Sequence, residues 1–209
     1  MNEVLAVFCR WPEPGKVKTR LIPALGAEGA AAFQRRCIER VVELCRGLRR
    51  PGLVTQLWIT PDSAVAEVPG DLAGDFTVHP QGEGDLGARM ARAVVRARAR
   101  GARRVVVIGT DCPALDRAVI DAALDGLRRF DAVINEAEDG GYCLIGLARA
   151  IPSVFQDIAW GTEAVAAQTL ERLEAAGAAT LRLPPLGDVD RPEDLHEVRR
   201  RWPRLLDGV

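Results

Sequence analysis

The sequence predicts a three-layer α/β/α protein, in which a mostly parallel mixed β-sheet lies between two layers of helices. Three observations predict this class. Short apolar runs alternate with longer amphipathic segments along the chain. The runs at 3–9 and 104–109 are rich in Val, Leu and Ile without polar alternation, which is typical of central strands covered on both faces. Strands that are separated by helices usually pair in parallel, with helices on both faces of the sheet.

The elements follow one another in a regular order. We predict strands at 3–9, 53–60, 75–79, 104–109, 131–136, 142–147 and 179–183, and helices at 27–49, 86–100, 117–129, 162–176 and 192–200. Helix starts are indicated by Thr162 with Glu163 after it, and by Pro192 ahead of two acidic residues. Because no repeat, low-complexity tract or linker interrupts the pattern, we expect a single domain over residues 1–209.

Composition excludes several classes of protein. The 209 residues include 28 basic and 29 acidic side chains, which argues against nucleic-acid binding through bulk positive charge and against disorder. The longest apolar runs fall far short of the ~18–20 residues of a membrane span, and the N-terminus lacks a signal-peptide pattern. The five cysteines form no CxxC pair, so we expect reduced thiols in a cytoplasmic protein rather than disulfides or a zinc site. The oligomeric state stays open, a homodimer included.

Two other functions are set aside on the spacing of side chains. Arg89, Arg92 and Arg96 share one helical face opposite Met90, Val94 and Val95, which we interpret as the solvated face of an amphipathic helix rather than a nucleic-acid surface. The two histidines, at 79 and 196, have no partners at triad or ligand spacing, and no GxSxG motif is present. A serine hydrolase is therefore excluded.

The loop after the first strand, RWPEPGKVKTRL, is the first candidate site segment. Two prolines and a glycine fix its path, and it carries Arg10, Lys16, Lys18 and Arg20. Ligands of open parallel sheets bind beyond the carboxyl ends of the strands. Cations clustered there repel one another, and a di- or triphosphate would relieve that repulsion. The loop predicts a phosphate site, against the alternative of a solvated surface loop. It is not a P-loop, because GxxxxGK[ST] is absent.

A glycine-rich segment, QGEGDLG, follows the third strand. Its glycines, Gly84 among them, would let the backbone pass close to a flat ligand, and Gln81 offers both a hydrogen-bond donor and an acceptor. The same residues also fit a turn before a helix, with Asp85 as the N-cap. The segment alone does not separate these two interpretations.

Carboxylates follow the fourth and the last predicted strands. Asp111 lies in GTDCP directly after a buried strand, and Asp190 lies in DVD ahead of the last helix. One or two protein carboxylates plus substrate phosphate oxygens are the usual ligands of magnesium. We therefore predict a divalent-cation site formed by Asp111 and Asp190, with a turn or an N-cap as the alternative role of each.

The segment EAEDGGY, between the fifth and sixth strands, has two possible roles. Its Asp-Gly pair is a strong hairpin signal, yet its carboxylates could equally line a second pocket for the transferred group. Trp160, in AWGTE, is expected in the core or as a lid over the site.

Together the motifs RWPEPGKVKTRL, QGEGDLG, VVVIGTDCPAL, DGGYCLIGL and DVDRPEDL resemble a bacterial family of GT-A-fold proteins described as glycosyltransferase-like or nucleotide-diphospho-sugar transferase-like. The resemblance spans residues 4 to about 195. More distantly, the pattern is similar to small nucleotidyltransferases such as the molybdenum-cofactor and phospholactate guanylyltransferases. This chain has Arg191 where the ending usually has threonine, and one carboxylate after the fourth strand instead of a D-x-D pair.

The resemblance implies a GT-A nucleotide-diphospho-sugar transferase fold and a role for each group of residues. It implies Lys16, Lys18 and Arg20 on the phosphates, Gln81 and Gly84 near the base, Asp111 as the main ligand of Mg²⁺ or Mn²⁺ with Asp190 opposite, and Asp139, Gly140 and Gly141 facing the sugar or acceptor.

Two reactions fit this arrangement. In glycosyl transfer, a nucleotide-sugar gives its sugar to a small acceptor, whose hydroxyl proton is taken by a carboxylate such as Asp139 or Glu138. In nucleotidyl transfer, a phosphorylated molecule attacks a nucleoside triphosphate and pyrophosphate leaves. Glycosyl transfer is our first expectation. A nucleotide-binding protein without catalysis is the third hypothesis.

Overall fold

One seven-stranded sheet runs through the computed structural model, which describes residues 2–48 and 50–209. The strands are β1 (Glu3–Arg10), β2 (Leu53–Thr60), β3 (Thr77–Pro80), β4 (Arg104–Ile108), β5 (Ala132–Ala137), β6 (Tyr142–Leu147) and β7 (Thr180–Leu186), and their order in the sheet is β3-β2-β1-β4-β6-β5-β7. Neighbours pair in parallel except β6, which is antiparallel to β4 and β5. The predicted mostly parallel mixed sheet is confirmed.

Helices cover both faces of this sheet. They are α1 (Ile22–Gly47), α2 (Gly70–Ala73), α3 (Leu86–Ala99), α4 (Arg117–Gly126), α5 (Val165–Ala175) and α6 (Leu195–Arg201). Apolar residues of α1 and α4 form one core cluster with the sheet, those of α3 and α5 form a second on the other face, and α1 and α6 share a third. The three-layer prediction is therefore confirmed. In the part of the chain that the structure describes, no helix has the length and apolarity needed to cross a membrane.

β1 is the central strand and is buried on both faces. Leu5 and Val7 belong to the cluster under α1 and α4, while Val4 and Ala6 belong to the cluster under α3 and α5. Successive side chains of a strand point to opposite faces, so both faces of β1 need apolar residues. Each fully buried Val or Leu contributes ~1.5–3 kcal/mol, which explains why the run lacks polar alternation.

Several element boundaries differ from the prediction for local reasons. α1 begins at Ile22 with a short turn that breaks at Gly26 (φ 71°), just before the predicted start at residue 27, while the predicted end at Arg49 lies outside the described residues. β7 continues through Pro184, because β7 is an edge strand and one of its sides needs no hydrogen-bond donors. α5 starts at Val165, since the hydroxyl of Thr162 accepts a bond from the Ala164 amide in the turn before the helix.

The segment between β5 and β6 forms a hairpin, which is one of the two roles that the sequence left open for it. The amide of Ala137 donates to the carbonyl of Gly141 at 2.9 Å, and the amide of Gly140 donates to Ala137 at 3.1 Å. The hairpin reverses β6, so that the start of β6 lies beside the end of β4, where the amide of Gly109 donates to the carbonyl of Cys143. The residues of this turn thereby reach the same sheet edge as the loops after β1 and β4.

Candidate active site

A cavity of about 1170 Å³ opens at the edge of the sheet where β1, β2, β3 and β4 end and β6 begins. It is lined by residues from the loops after these strands, from the β5–β6 turn, from the segment before α5 and from the loop after β7. A second groove of about 840 Å³ lies between α1, α4 and residues 201–207, and none of the predicted site residues line it. The larger cavity is the candidate active site.

The structure brings most of the predicted site residues to this cavity. Those that line it are Arg10, Arg20, Gln81, Asp111, Asp139, Gly141, Trp160 and Asp190. Those that do not line it are Lys16, Lys18, Gly84, Asp85 and Gly140. The loops after β1, β4 and β7 therefore meet as the sequence predicts, although not every side chain faces the ligand space.

The four cations of the first loop have different surroundings. Arg10 is exposed and lines the cavity. Lys16 is also exposed, but it points away from the cavity and pairs with Glu13 at 2.5 Å. Arg20 contacts the carboxylate of Asp190. Only the Lys18 side chain is buried among these four, with 4% of its surface exposed.

Lys18 joins three loops beneath the cavity. Its Nζ lies 3.2 Å from Asp111 Oδ2 and donates to the carbonyl of Val189 at 2.6 Å, while the amide of Val189 donates to the carbonyl of Asp111. Burial alone would lower the pKa of Lys18, but the Asp111 carboxylate, with Cys37 and Asp190, raises it above its ordinary value. The ammonium is therefore charged at neutral pH. The backbone of Lys18 is left-handed (φ 45°). Residues in such strained conformations cluster at functional sites.

Asp188 is a carboxylate of the site that the prediction of individual residues missed. It lines the cavity two positions before Asp190. Burial, with the nearby charge of Asp139, raises its pKa to about 6. The DVD motif contained this residue, and the signal that could have found it is its place beside Asp190 after the last strand.

Gln81 is buried at the end of β3 with its amide orientation fixed. Its Nε2 donates to the carbonyls of Cys9 at 3.2 Å and Trp58 at 2.9 Å. Since both carbonyls need a donor, the amide oxygen of Gln81 is the atom left for a ligand in the cavity. Asp85 caps α3 by accepting from the Ala88 amide at 2.7 Å, as in the alternative interpretation of this segment.

The arginine face of α3 is exposed at Arg92 and Arg96, as expected for an amphipathic helix, but its side chains also contact neighbouring residues. Arg89 donates to the carbonyl of Gly84 at 2.9 Å and to Thr60, and it lines the cavity. Arg92 donates to the carbonyls of Gln81 and Glu83, and Arg96 lies over the Trp58 ring. Val95, expected on the apolar face, is 67% exposed. Arg89 and Arg92 therefore hold the glycine-rich segment against the helix.

Trp160 combines the two roles left open for it. The half-buried ring lines the cavity and also packs against the core cluster under α3, with its edge toward Tyr142 at a centroid distance of 6.3 Å. Gly87 allows this packing, because a Cβ there would lie 2.8 Å from the indole and 2.5 Å from the Phe155 carbonyl. Trp160 is thus a fixed wall of the cavity.

The β5–β6 turn places the carboxylates of Glu138 and Asp139 at the cavity and Gly140 behind it. Asp139 Oδ1 accepts from the Gly141 amide at 2.9 Å and lines the cavity. Gly140 (φ 88°) instead packs on the start of α5, where a Cβ would lie 2.2 Å from the Glu163 carbonyl. Gly140 is required for this close approach.

Asp111 and Asp190 both line the cavity, and they are the residues that could hold a divalent cation there together with phosphate ligands. Among residues 2–48 and 50–209, no three His, Cys, Asp or Glu side chains surround a common position, so the protein offers no complete cage. The side chain of Asp111 is 53% exposed at the cavity, and carboxylate oxygens are the ligands that Mg²⁺ prefers. Mg²⁺ usually binds one or two carboxylates plus substrate phosphates, which is what this pair can supply.

The cysteines are free and buried at all five positions. Cys9, Cys112 and Cys143 line the cavity, and the thiol of Cys112 donates to the carbonyl of Gly187 at 3.2 Å. Burial raises the pKa of Cys9 and Cys37 well above the ordinary thiol value.

The fold and the cavity define a member of a bacterial family. The family model described as "Uncharacterized protein conserved in bacteria (DUF2064)" matches residues 44–162, more than half of the chain, and the protein belongs to this family. A protein of Desulfovibrio desulfuricans G20, described as a candidate nucleotide-diphospho-sugar transferase, shares 31% identity with a TM-score of 0.83. The alignment covers 100% of this chain and 98% of that chain. The predicted nucleotide-diphospho-sugar transferase fold is confirmed.

More distant solved structures share the fold alone. CMP:2-keto-3-deoxy-manno-octonic acid synthetase, solved with CTP, is 15% identical over 98% of this chain and 99% of that chain, with a TM-score of 0.60. Rv0371c of Mycobacterium tuberculosis H37Rv, solved with manganese, is 17% identical over 100% of both chains, with a TM-score of 0.55. No curated protein matches the sequence significantly.

Proposed function

We propose that this protein is a metal-dependent transferase that moves a sugar from a nucleotide-sugar to a small acceptor. The observation that carries this proposal is which cations of the loop after β1 remain available to bind phosphate. The buried Lys18 pairs with Asp111, and Lys16 lies outside the cavity, so Arg10 and Arg20 are the two cations of this loop that remain for phosphate. Four available cations would suit a triphosphate, whereas two suit the diphosphate of a nucleotide-sugar.

The nucleotide end of the cavity is the end formed by β1, β3 and α3. Arg10 and Arg89 line it and can pair with phosphate oxygens. The oxygen of Gln81 can accept a hydrogen bond from the base. The 31% identity to a protein described as a candidate nucleotide-diphospho-sugar transferase supports a nucleotide-sugar as the donor.

Asp111 and Asp190 would hold the divalent cation together with the diphosphate. When bound, such a cation neutralises the charge that develops on the departing diphosphate, which is worth several kcal/mol in the transition state. The manganese bound in the Rv0371c structure supports a divalent cation for this fold. Asp111 would position the donor, and Lys18 keeps the Asp111 carboxylate in place.

The acceptor end of the cavity lies between the β5–β6 turn and Trp160. Asp139 and Glu138 line it, and a carboxylate there can take the proton of an attacking hydroxyl. Gly141 and the indole of Trp160 complete this end.

The single sheet through the described residues supports the further proposal that the chain forms one transferase domain.

Nucleotidyl transfer is the second candidate, and the synthetase that shares the fold and binds CTP supports it. In the form of that reaction considered above, a phosphorylated molecule attacks the triphosphate, so the acceptor is anionic. The acceptor end carries Glu138, Asp139, Glu163 and Asp188, whose charges would repel a phosphate. The charge of the cavity therefore favours an uncharged acceptor over a phosphorylated one.

Product analysis separates the candidates. The protein is incubated with Mn²⁺ and a panel of nucleotide-sugars or nucleoside triphosphates, with Asp111→Asn as the inactive control. Glycosyl transfer predicts slow, metal-dependent release of nucleoside diphosphate and sugar from one nucleotide-sugar. Pyrophosphate release from a triphosphate would replace the proposal by nucleotidyl transfer. Binding without turnover that survives in Asp111→Asn would indicate a nucleotide sensor.

A further inference from the structure

The two carboxylates assigned to the metal are both already paired with cations of the protein. Lys18 Nζ lies 3.2 Å from Asp111 Oδ2, and the guanidinium of Arg20 contacts Asp190 Oδ2. Both cations come from the same turn after β1, two residues apart. A divalent cation at this position would meet two carboxylates whose charge is largely neutralised.

Lys18 is fixed in its position. Its side chain is 4% exposed, and its Nζ also donates to the carbonyl of Val189 at 2.6 Å. The carbonyl of Lys18 accepts from the amide of Leu21 at 2.8 Å, which holds the left-handed turn. The ammonium therefore stays beside Asp111 when ligands arrive, and its charge opposes a second cation there.

Arg20 is free to move, unlike Lys18. Its side chain is 63% exposed, and surface ion pairs of this kind are weak. Phosphate oxygens offer a guanidinium a stronger, bidentate partner, so an incoming diphosphate can draw Arg20 away from Asp190. The phosphates also bring negative charge that offsets the charge of Lys18.

We propose that Lys18 and Arg20 are resident counter-cations that keep divalent metal off Asp111 and Asp190 until a phosphate-bearing ligand arrives. The free protein then binds metal weakly, and metal and nucleotide each strengthen the binding of the other, since such coupling is reciprocal. Lys18 acts here as a positioning residue that sets metal affinity, not as a phosphate ligand. The inference rests on the proposed assignment of the metal ligands, but not on which group is transferred.

Binding of Mn²⁺ to the free protein tests this proposal, with unbound Mn²⁺ measured by its electron paramagnetic resonance signal. We expect weak binding to the wild type, at least tenfold tighter binding to Lys18→Met, and at least threefold tighter binding to Arg20→Met. Lys16→Met is the matched control, because Lys16 belongs to the same loop but pairs with Glu13 outside the cavity, and it should bind as the wild type does. Adding Asp111→Asn to Lys18→Met should abolish the gain.

Two results would overturn the proposal: tight Mn²⁺ binding by the wild type, or no gain in either variant. Folding of each variant is checked by circular dichroism, and if Lys18→Met does not fold, the exposed Arg20→Met variant decides alone. Since no nucleotide or turnover is involved, this outcome is independent of the product analysis. Failure to transfer a sugar would leave the metal result standing.

Discussion

The ammonium of Lys18 lies 3.2 Å from the carboxylate of Asp111, and the two side chains differ sharply in exposure, at 4% and 53%. Lys18 follows β1 and Asp111 follows β4, so the pair links two neighbouring parallel strands at the edge where the cavity opens. The buried cation thus holds an accessible carboxylate in place. The predictions below start from this pair.

Substitutions at Lys18 and Asp111 should not be additive. Removing one partner of a fully buried ion pair costs ~3–5 kcal/mol; since Asp111 is half exposed, we expect Asp111→Asn to cost less, ~1–2 kcal/mol. Adding Lys18→Met to Asp111→Asn should recover part of this loss, because no buried ammonium is then left without a carboxylate. Urea unfolding of both single variants and the double variant measures the coupling, and additive losses would show that the pair does not interact energetically.

Gly87→Ala should displace Trp160. A Cβ at residue 87 would lie 2.5 Å from the Phe155 carbonyl and 2.8 Å from the indole, and overpacking of this kind costs ~1–3 kcal/mol. We expect a lower free energy of unfolding and a changed tryptophan fluorescence spectrum. Gly47→Ala, where a Cβ meets nothing within 4 Å, is the matched control and should neither lower the free energy of unfolding nor change the spectrum, since alanine is also the better helix former at this position of α1. An unchanged spectrum in Gly87→Ala would mean that Trp160 does not pack there.

Glu3→Gln should destabilise the fold far from the cavity. Glu3 is 2% exposed and accepts from Arg50 at 2.6 Å and Arg104 at 2.9 Å. Its loss leaves two half-buried arginines short of a carboxylate, which we expect to cost ~3 kcal/mol. The control is Glu197→Gln, which removes an exposed carboxylate paired with Arg200 and should have no measurable effect. Equal effects in chemical denaturation would contradict a special role of Glu3.

Protonation of His79 should contribute to acid destabilisation. Burial, with the charges of Arg96 and Arg100, lowers the pKa of His79 below its usual 6.5. The folded protein disfavours protonation of His79 relative to the unfolded chain. The neutral imidazole therefore contributes its full stability above pH 6.5, and this stability is lost as pH falls through the lowered pKa of the folded state. His79→Phe should keep the contact with Trp58, whose ring centroid is 4.9 Å away, and should flatten this part of the profile. Melting temperatures of the wild type and of His79→Phe that change identically with pH between 7.5 and 5 would refute this role of His79.

Much of the fold follows from pattern alone. All seven predicted strands and five predicted helices are present, because long periodic segments and unalternated apolar runs report burial directly. Boundaries were less predictable where a single residue decides them, as at Gly26 or at Pro184 on the edge strand. The hairpin that reverses β6 was one of two alternatives, since the signal of Asp139 and Gly140 also fits a pocket.

The sequence predicted which loops form the site, but not the directions in which their side chains point. Asp111, Asp190 and Gln81 line the cavity because each follows a strand of the sheet. Lys16 and Lys18 lie in the right loop, yet the left-handed turn at Lys18 sends one outward and buries the other. No local pattern marks this turn, because lysine is not a residue that favours it.

The most direct test of the proposed function is a thermal-shift panel of nucleotide-sugars and nucleoside triphosphates, each with and without Mn²⁺. We predict a Mn²⁺-dependent rise in melting temperature for one nucleotide-sugar that exceeds the rise for any triphosphate and disappears in Asp111→Asn. A larger rise for a triphosphate, or an equal rise in Asp111→Asn, would contradict the assignment of this cavity to a nucleotide-sugar held by metal at Asp111.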